Sequence, residues 1–404
     1  MNIGKNLNPG PGEAQMKRQT TIDLFLSVNA YLQAMASQQY SPHTIMFYQL
    51  ILKHWVAFAN ASNMALSDLF TYEKLKAFES ESALKSVNLA PIRGLAQYLY
   101  ETQQLDAPVK KPIETLPDIY EAYLTHYKDT RNVHDSMIGQ CRNVFRSLHQ
   151  YLHNDDLSTL TIEQVDMFLN HYNAGYSPKS QRIHRGCLRG FLQYLYYQRN
   201  ILKRDLSALL TGPPFYAQSK PPRFLRPEEV DRLFSSLCWE QPGDIRCNAM
   251  LYLAYTLGLR PGEISLISLK DIAFAKKEIR LPNRKNTVGL HLPLPDEALK
   301  ALVVYVTHVR PHVKHRALFL TLTAPYRPVS HGTVSHDIST CLHRAGISES
   351  AYCLRHTYAQ NLLEAGASIF QVKEMLGHDR IQTTQRYIHV HTQLMRKRLF
   401  NETI

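Results

Sequence analysis

The stretch RGFLQYLY, residues 189–196, nearly repeats RGLAQYLY of residues 93–100, at an offset of 96 residues. An amphipathic segment precedes each copy: HTIMFYQLILKHWVAFAN (43–60) the first and SMIGQCRNVFRSLHQYLHN (136–154) the second. Apolar residues recur in these segments every three or four positions, as in a helix that packs on one side. The pattern therefore predicts two similar all-helical domains. A chance likeness of two amphipathic helices is the alternative, but the matched residues include a polar Arg and Gln.

Two linker-like segments mark the boundaries of these helical copies. DAPVKKPIETLP (106–117) separates them, and TGPPFYAQSKPP (211–222) follows the second copy with four prolines that forbid a continuous helix. We therefore expect a first helical domain over residues 20–106 and a second over residues 117–210. Residues 1–19 are expected to form a flexible N-terminus.

The remaining part of the chain, residues 223–404, has mixed periodicity. FLRPEEVDRLFSSL predicts a helix, because Pro227 suits a first helical position and the glutamates after it favour the positive end of the helix dipole. DIAFAKKEIRLP (271–282) and VGLHLPLP (288–295) predict strands of a small antiparallel sheet, joined by a turn at NRKN (283–286). The fold class expected for the whole chain is mainly α, with a small antiparallel β-sheet in an α+β C-terminal domain.

The positive charge of the chain is concentrated. The formal net charge is +12, yet residues 1–120 hold ten basic and ten acidic side chains. Residues 175–224 hold nine basic side chains and one acid, which suits a polyanion such as nucleic acid. A solvated helix face is the alternative, although such a face usually mixes both signs. The candidate DNA-binding residues are Lys179, Arg182, Arg185, Arg189, Lys203 and Arg204.

Several classes of protein do not fit the sequence. No apolar run reaches the roughly 18 residues of a membrane span, and the N-terminus lacks the apolar core of a signal peptide. The six cysteines form no CxxC pair and no zinc-finger spacing, and the chain has no GxxxxGK[ST] phosphate loop. We therefore expect a cytoplasmic protein with reduced cysteines, no metal site, no cofactor and no membrane partner.

Four motifs stand in order in the C-terminal part of the chain. They are TLGLRPGEISLISL (256–269), the turn RKN (284–286), YCLRHTYAQNLLEAG (352–366) and LGHDRIQTTQRYIHV (376–390). Together they resemble the catalytic domain of the tyrosine recombinases, the phage integrase family that includes Xer-type and integron enzymes. The resemblance covers residues 223–401 and is specific, because several motifs match at once. The helical copies upstream resemble the family's SAM-like core-binding domains through a weaker motif.

The resemblance implies a tyrosine-recombinase catalytic domain over residues 223–404 and six catalytic positions. These positions are Arg260, Lys285, Tyr352, Arg355, His378 and Tyr387. Taken singly, each has an ordinary explanation, such as a capped turn, an exposed lysine or a packed aromatic ring. Their combination favours an active site, because two arginines can clamp a phosphodiester while a tyrosine attacks phosphorus.

The remaining positions take supporting roles in this interpretation. Lys285 is expected to protonate the leaving 5′-oxygen, and His378 to bind phosphate or assist proton movement. The family commonly has His where this chain has Tyr352; a phenol donates a hydrogen bond but buffers no proton near neutral pH, which puts the usual acid/base role in doubt. His356 is expected to be structural, and Glu263 to orient a helix or an arginine.

These residues predict a site-specific DNA recombinase that cuts and rejoins double-stranded DNA through a 3′-phosphotyrosine, without metal or ATP. By resemblance, four protomers pair two DNA sites, and accessory recombinases or DNA-bending proteins are possible partners. The neutral extra domain favours integration, excision or transposition of a mobile element, in a protein associated with the bacterial nucleoid. The amphipathic segment HTQLMRKRLF (391–400) is expected to dock on a neighbouring subunit or on its own chain.

Four alternatives stay open at this point. An Xer-like resolvase or a type IB topoisomerase-like enzyme would share the chemistry, and only the topoisomerase would act without pairing sites. A catalytically silent DNA-binding regulator would keep the basic surface without needing Tyr387. A structural interaction protein built from helical repeats would leave the C-terminal motifs unexplained.

Overall fold

The structure is a computed structural model. It describes residues 11–62, 66–82, 88–107, 109, 115–153, 156–212, 222–281, 290–377, 381 and 384, with the backbone alone for residues 11–22, 62, 67 and 290. Helices dominate these ranges, and the strands form one small antiparallel sheet, so the predicted fold class is confirmed. Within the same ranges, no helix is long and apolar enough to cross a membrane.

The tertiary contacts divide the chain into two compact units. One unit consists of residues 1–109 together with residues 218–404, and the other consists of residues 110–217. In the described ranges, the buried apolar side chains fall into three large clusters over residues 24–105, 116–210 and 225–354 and a small one over residues 359–376. The division into three domains with the boundaries given above stays a prediction.

Five α-helices lie in the described part of residues 11–101. They are α1 (Pro11–Ser37), α2 (Pro42–Ser62), α3 (Leu66–Leu69), α4 (Tyr72–Glu81) and α5 (Ala90–Glu101). Trp55 is fully buried among them. Helix α1 begins at Pro11, so residues 11–19 of the segment expected to be flexible are helical. Proline suits a first helical position because it has no N–H to leave unpaired.

Four α-helices form most of what the structure describes of the unit over residues 110–217. They are α6 (Asp118–Arg131), α7 (Asp135–Tyr151), α8 (Ile162–Tyr172) and α9 (Pro178–Gln193). Ser177 caps α9 by accepting a hydrogen bond from the backbone N–H of Ser180, and the helix continues as a π-helical turn over Tyr194–Gln198. Phe145 and Phe191 are fully buried at the centre of this unit.

The sequence repeat corresponds to one packing arrangement that occurs twice. In the first copy, a Cβ atom built on Gly94 would lie 2.2 Å from the hydroxyl of Tyr31. In the second copy, a Cβ atom built on Gly190 would lie 2.3 Å from the hydroxyl of Tyr123. The tyrosine of each repeat copy packs on that phenol: the ring centroids of Tyr98 and Tyr31 are 5.5 Å apart, and those of Tyr194 and Tyr123 are 5.4 Å apart. Glycine therefore lets α5 and α9 approach a buried phenol closely.

Substituting Gly190 with alanine is expected to destabilise the protein by about 1–3 kcal/mol, because the Tyr123 ring is buried and cannot withdraw without disturbing its neighbours. Gly186 lies in the same helix and has no atom within 4 Å of a built Cβ. The matched change Gly186→Ala should stabilise by roughly 0.5–1 kcal/mol through helix propensity. Urea unfolding of the full chain measures both; equal midpoints for the two variants would contradict the close packing.

Seven helices and three strands follow in the described part of residues 222–377. They are α10 (Pro227–Ser235), α11 (Pro242–Leu257), α12 (Pro261–Ser265), β1 (Ile272–Ala273), β2 (Glu278–Leu281), β3 (Leu290–Pro293), α13 (Asp296–Val304), α14 (His331–Arg344), α15 (Tyr352–Glu364) and α16 (Ile369–Leu376). Helix α11 is buried on several sides and packs against α12, α13, α14 and α15. It is therefore the central element of this region.

The sheet differs from the predicted one in one respect. Residues 271–282 were expected to form a single strand, but a 3-10 turn over Phe274–Lys276 and the left-handed conformation of Lys277 (φ 53°) divide them into β1 and β2. The strands are antiparallel in the order β1-β2-β3, with Ile272 opposite Ile279 and Ile279 opposite Leu292. The predicted turn at residues 283–286 lies outside the described residues.

Candidate active site

A sharp reversal between α11 and α12 positions Arg260. Helix α11 ends at Gly258 in the left-handed conformation (φ +61°), and α12 begins at Pro261. Glycine accepts this conformation without the steric cost of a side chain, and proline is preorganised for a first helical position. A Cβ on Gly258 would also lie 2.4 Å from Cδ1 of Tyr358, so both backbone conformation and space require glycine there.

Glu263 fixes Arg260 at two points. One carboxylate oxygen accepts the backbone N–H of Arg260 at 2.8 Å, and the other accepts Nη1 of its guanidinium at 2.8 Å. The first bond satisfies an N–H at the start of α12 that has no partner within the helix. The second holds a side chain that is 34% exposed. Glu263 thus orients both the helix and the arginine, as the sequence suggested.

Arg355 lies in α15, and its side chain is only 4% exposed. Its Nη1 donates to the carbonyl of Gly258 at 2.6 Å, and its Nη2 donates to the carbonyl of Leu376. Nη1 also lies 3.7 Å from Oε2 of Glu263, the oxygen that accepts the backbone N–H of Arg260. A buried charge is tolerated when it is paired and hydrogen-bonded in this way. One guanidinium therefore ties the ends of α11 and α16 to the start of α12.

The two arginines meet at one carboxylate, although 95 residues separate them in the chain (355 − 260 = 95). The Arg260 side chain is partly accessible to solvent, whereas the Arg355 side chain is buried. This arrangement presents positive charge that is fixed before any ligand arrives. Such preorganised donors stabilise an anion, and they stabilise it more strongly as its charge grows during a reaction.

Tyr352 is the first residue of α15, three positions before Arg355, and it is 48% exposed. Positions i and i+3 share one side of a helix, so Tyr352 lies on the side of α15 that carries Arg355. Lys285, His378 and Tyr387 lie outside the described residues. The continuous described stretch ends at Gly377. This residue follows Leu376, whose carbonyl accepts a hydrogen bond from Arg355.

Three side chains lie beside Arg355 in the sequence of α15, and the structural role expected for His356 stays a prediction. Burial raises the pKa of the Cys353 thiol to about 12, so this cysteine stays protonated at neutral pH. Thr357 accepts the backbone N–H of Leu225 at 2.8 Å and donates to the carbonyl of Cys353 at 2.9 Å. His356 is half-buried. In the described ranges, no group of three or more His, Cys, Asp or Glu side chains is arranged to hold a metal ion.

Sequence reasoning missed the two carbonyls that anchor Arg355. A backbone acceptor leaves no trace in residue type, and here both acceptors belong to the ends of distant helices. One signal was present: glycine stands two positions before Arg260 and again directly after Leu376. Glycines at these places indicate helix C-termini, whose last carbonyls need partners from elsewhere in the fold.

The candidate DNA-binding residues all lie in or after α9, within the unit over residues 110–217. Lys179, Arg182, Lys203 and Arg204 are exposed. Arg185 is half-buried, and a Cβ on Gly212 would lie 3.1 Å from its Cδ. Arg189 is exposed but donates from Nη2 to the carbonyl of Leu210 at 2.6 Å. Two of the six arginines and lysines thus also hold the segment that follows α9 against the helix.

Comparison with known proteins bears on this site. A family model described as the phage integrase family matches residues 223–393. Tyrosine recombinase XerD of Proteus mirabilis is 31% identical over 261 residues, which cover 62% of this chain and 82% of the relative. The XerH site-specific recombinase bound to its palindromic difH substrate has a TM-score of 0.56 at 18% identity, covering 81% of this chain and 94% of that one. The Tn1549 transposon integrase in complex with a circular intermediate DNA has a TM-score of 0.53 at 16% identity, covering 69% and 98%.

Proposed function

Because the chain belongs to the phage integrase family of tyrosine recombinases, we propose that Arg260 and Arg355 hold a DNA phosphate for attack by Tyr387. The enzyme is a site-specific DNA recombinase, which cuts and rejoins DNA strands. The single observation that carries the assignment of the site is the pairing of both guanidinium groups with Glu263.

The proposed reaction conserves the energy of the broken bond. The Tyr387 oxygen attacks phosphorus, a 3′-phosphotyrosine bond forms, and the bond from phosphorus to the 5′-oxygen breaks. The arginines neutralise the two nonbridging oxygens, whose charge rises in the transition state. Lys285 supplies a proton to the leaving 5′-oxygen, and His378 supports the phosphate or takes the phenol proton. In the second step, a 5′-hydroxyl attacks the phosphotyrosine and reverses these changes on a new strand.

Tyr352 takes the family's histidine position in this proposal. Its half-exposed phenol and its placement on the same side of α15 as Arg355 suit a hydrogen-bond donor to phosphate. We assign this phenol hydrogen bonding to phosphate alone. The proton transfers therefore fall to Lys285 and His378.

The proposed division of labour assigns duplex binding to two regions. The helical domain over residues 117–210 grips double-stranded DNA through the basic residues of α9, and the catalytic domain over residues 223–404 holds the scissile phosphate. The separate apolar clusters of these regions support this division. Four protomers pair two sites, with accessory recombinases or DNA-bending proteins as further partners at the nucleoid. Residues 391–400, which lie outside the described part, dock on a neighbouring subunit.

We infer that the recombination serves integration or excision of a mobile element. The residues aligned with XerD cover only 62% of this chain, although they cover 82% of that relative. This chain has a helical region over residues 20–106 with five basic and seven acidic side chains, and a region without excess positive charge suits protein contacts better than a DNA backbone. An Xer-like resolvase is the second candidate, supported by the likeness to XerD. Recombination of plasmids carrying the borders of the gene, against plasmids carrying a chromosome-dimer site, separates the two.

Tyr387→Phe should abolish the covalent complex with DNA, because phenylalanine has no oxygen to bond phosphorus. End-labelled duplexes from the borders of the gene are incubated with the protein, and the adduct is resolved in denaturing gels. Tyr352→Phe is the matched control and should retain the adduct, at a reduced rate, since only a hydrogen bond to phosphate is lost. An adduct that survives Tyr387→Phe would assign the nucleophile to another residue.

A further inference from the structure

A cleft of about 390 Å³ lies on the unit over residues 110–217, between α6 and the end of α9. Its lining is mainly aromatic and polar, and the residues that matter below are Tyr123, Tyr127, Arg131, Tyr194 and Tyr197. Tyr123 and Tyr194 form the buried floor, whereas the Tyr197 ring is 63% exposed at the rim. A cleft of this size is sufficient for a small planar ligand.

The rings are held in fixed positions. Tyr127 stacks on Tyr123 with centroids 5.7 Å apart and planes inclined by 17°. The hydroxyl of Tyr197 donates to a carboxylate oxygen of Asp205 at 3.1 Å, and the other oxygen of Asp205 accepts the backbone N–H of Ser207 at 2.8 Å. A ligand entering the cleft therefore meets aromatic faces that are already ordered.

The sequence repeat provides an internal control for the role of these residues. Both copies keep the floor, since Tyr31, Gly94 and Tyr98 in the first copy pack like their counterparts in the second. When the two copies are aligned on Tyr31 and Tyr123, Met35 of the first copy corresponds to Tyr127 of the second, and Gln39 corresponds to Arg131. When the copies are aligned on Gly94 and Gly190, Glu101 of the first copy corresponds to Tyr197 of the second. The fold therefore forms without the aromatic and basic side chains of the cleft, which leaves ligand binding to explain them.

The charge around the cleft indicates what kind of ligand it takes. The guanidinium carbon of Arg131 lies 5.7 Å from the Tyr127 ring centroid, and that of Arg199 lies 6.0 Å from the Tyr194 ring centroid. These cations already occupy cation–π positions and repel a cationic ligand. Arg189 precedes Gln193 of the cleft by one turn of α9, so the basic row leads to its edge. A planar group attached to a phosphate fits this surface best.

We propose that the cleft binds a nucleobase that is unpaired in the DNA substrate. The base displaces the Arg131 guanidinium from the face of Tyr127 and stacks there and against Tyr197, and the displaced Arg131 pairs with the phosphate of that nucleotide. The proposal rests on the proposed DNA-binding role of this unit. Strand exchange requires bases to leave one partner before they pair with another, so unpaired bases arise during the reaction. Aromatic side chains beside basic ones are the usual means of holding such bases.

The probe is a short duplex carrying one unpaired 2-aminopurine, whose fluorescence falls when it stacks, and the comparison is the same duplex fully paired. The full-length protein should quench the unpaired probe and bind that duplex about tenfold more tightly than the paired one, as expected for stacking of one base. Tyr127→Met, which installs the residue of the other copy, should remove both effects and leave affinity for the paired duplex unchanged.

Two further variants keep the test decisive. Tyr197→Ser changes an exposed ring and does not affect the core, so it should also reduce quenching even if Tyr127→Met folds poorly. Tyr100→Met is the matched control, since Tyr100 is exposed in the first copy. Absence of quenching by the unaltered protein, or an equal loss on paired and unpaired duplexes, would overturn the cleft proposal. Binding of the unaltered protein to the paired duplex tests the proposed DNA-binding role separately, and its retention shows that this role stands without the cleft.

Discussion

Arg355→Ala should nearly eliminate strand cleavage and should also destabilise the protein by about 3–5 kcal/mol. The side chain is buried, and its loss leaves the carbonyls of Gly258 and Leu376 without their donor. It also removes one of the two guanidinium groups proposed to bind the phosphate, which we expect to slow cleavage by about 10²–10³-fold. Glu263 still holds Arg260 through its two hydrogen bonds.

Arg260→Ala is the matched variant that separates the two effects. Its side chain is 34% exposed and forms one ion pair, so we expect a stability loss below about 1 kcal/mol. The loss of cleavage should be of the same order as for Arg355→Ala, because both groups are proposed to bind the same phosphate. Urea unfolding and single-turnover cleavage measure the two quantities. Normal cleavage by folded Arg260→Ala would exclude this arginine from the active site.

Gly258→Ala should destabilise the protein by about 3 kcal/mol and should reduce cleavage as well. The left-handed conformation costs alanine roughly 1–2 kcal/mol, and the added Cβ would lie 2.4 Å from the ring of Tyr358. Relief of this contact moves the Gly258 carbonyl, which is an acceptor for Arg355. The change therefore reaches the active site through the backbone.

Gly346→Ala is the control for the backbone effect alone. Gly346 also has a positive φ, +71°, but nothing lies within 4 Å of a Cβ built on it. We expect a loss of about 1–2 kcal/mol and unchanged cleavage. Thermal unfolding and the cleavage assay are run on both variants. The additional loss of stability in Gly258→Ala measures the contact with Tyr358, and its additional loss of cleavage measures the disturbance of Arg355. Equal losses for Gly258→Ala and Gly346→Ala would mean that the surroundings of Gly258 accommodate a methyl group.

Local patterns predicted much of the fold. Three- and four-residue spacing of apolar side chains identified the helical character of residues 43–60 and 136–154, and the structure has α2 and α7 there. The tyrosine recombinase family was predicted from ordered motifs and is confirmed. The break between β1 and β2 was not predicted, because the left-handed conformation of Lys277 is not indicated by its residue type.

The site was predicted only in part, for a physical reason. Motif order indicated Arg260 and Arg355, but it did not indicate that one is half-exposed and the other is buried against backbone carbonyls. Such partners are chosen by tertiary packing, which no short stretch encodes. The aromatic cleft was not predicted for the same reason, because its lining residues Arg131 and Tyr197 are 66 residues apart in the chain (197 − 131 = 66).

The anchoring of Arg355 by Leu376 also bears on protein synthesis. A nascent chain that stalls on the ribosome before Leu376 has Arg260, Glu263 and Arg355 but lacks one acceptor that seats the buried guanidinium. The truncated product keeps helix α9, which we propose to bind DNA, but it lacks this acceptor and also the proposed nucleophile Tyr387. Incomplete translation should therefore yield fragments that occupy chromosomal DNA without nicking it.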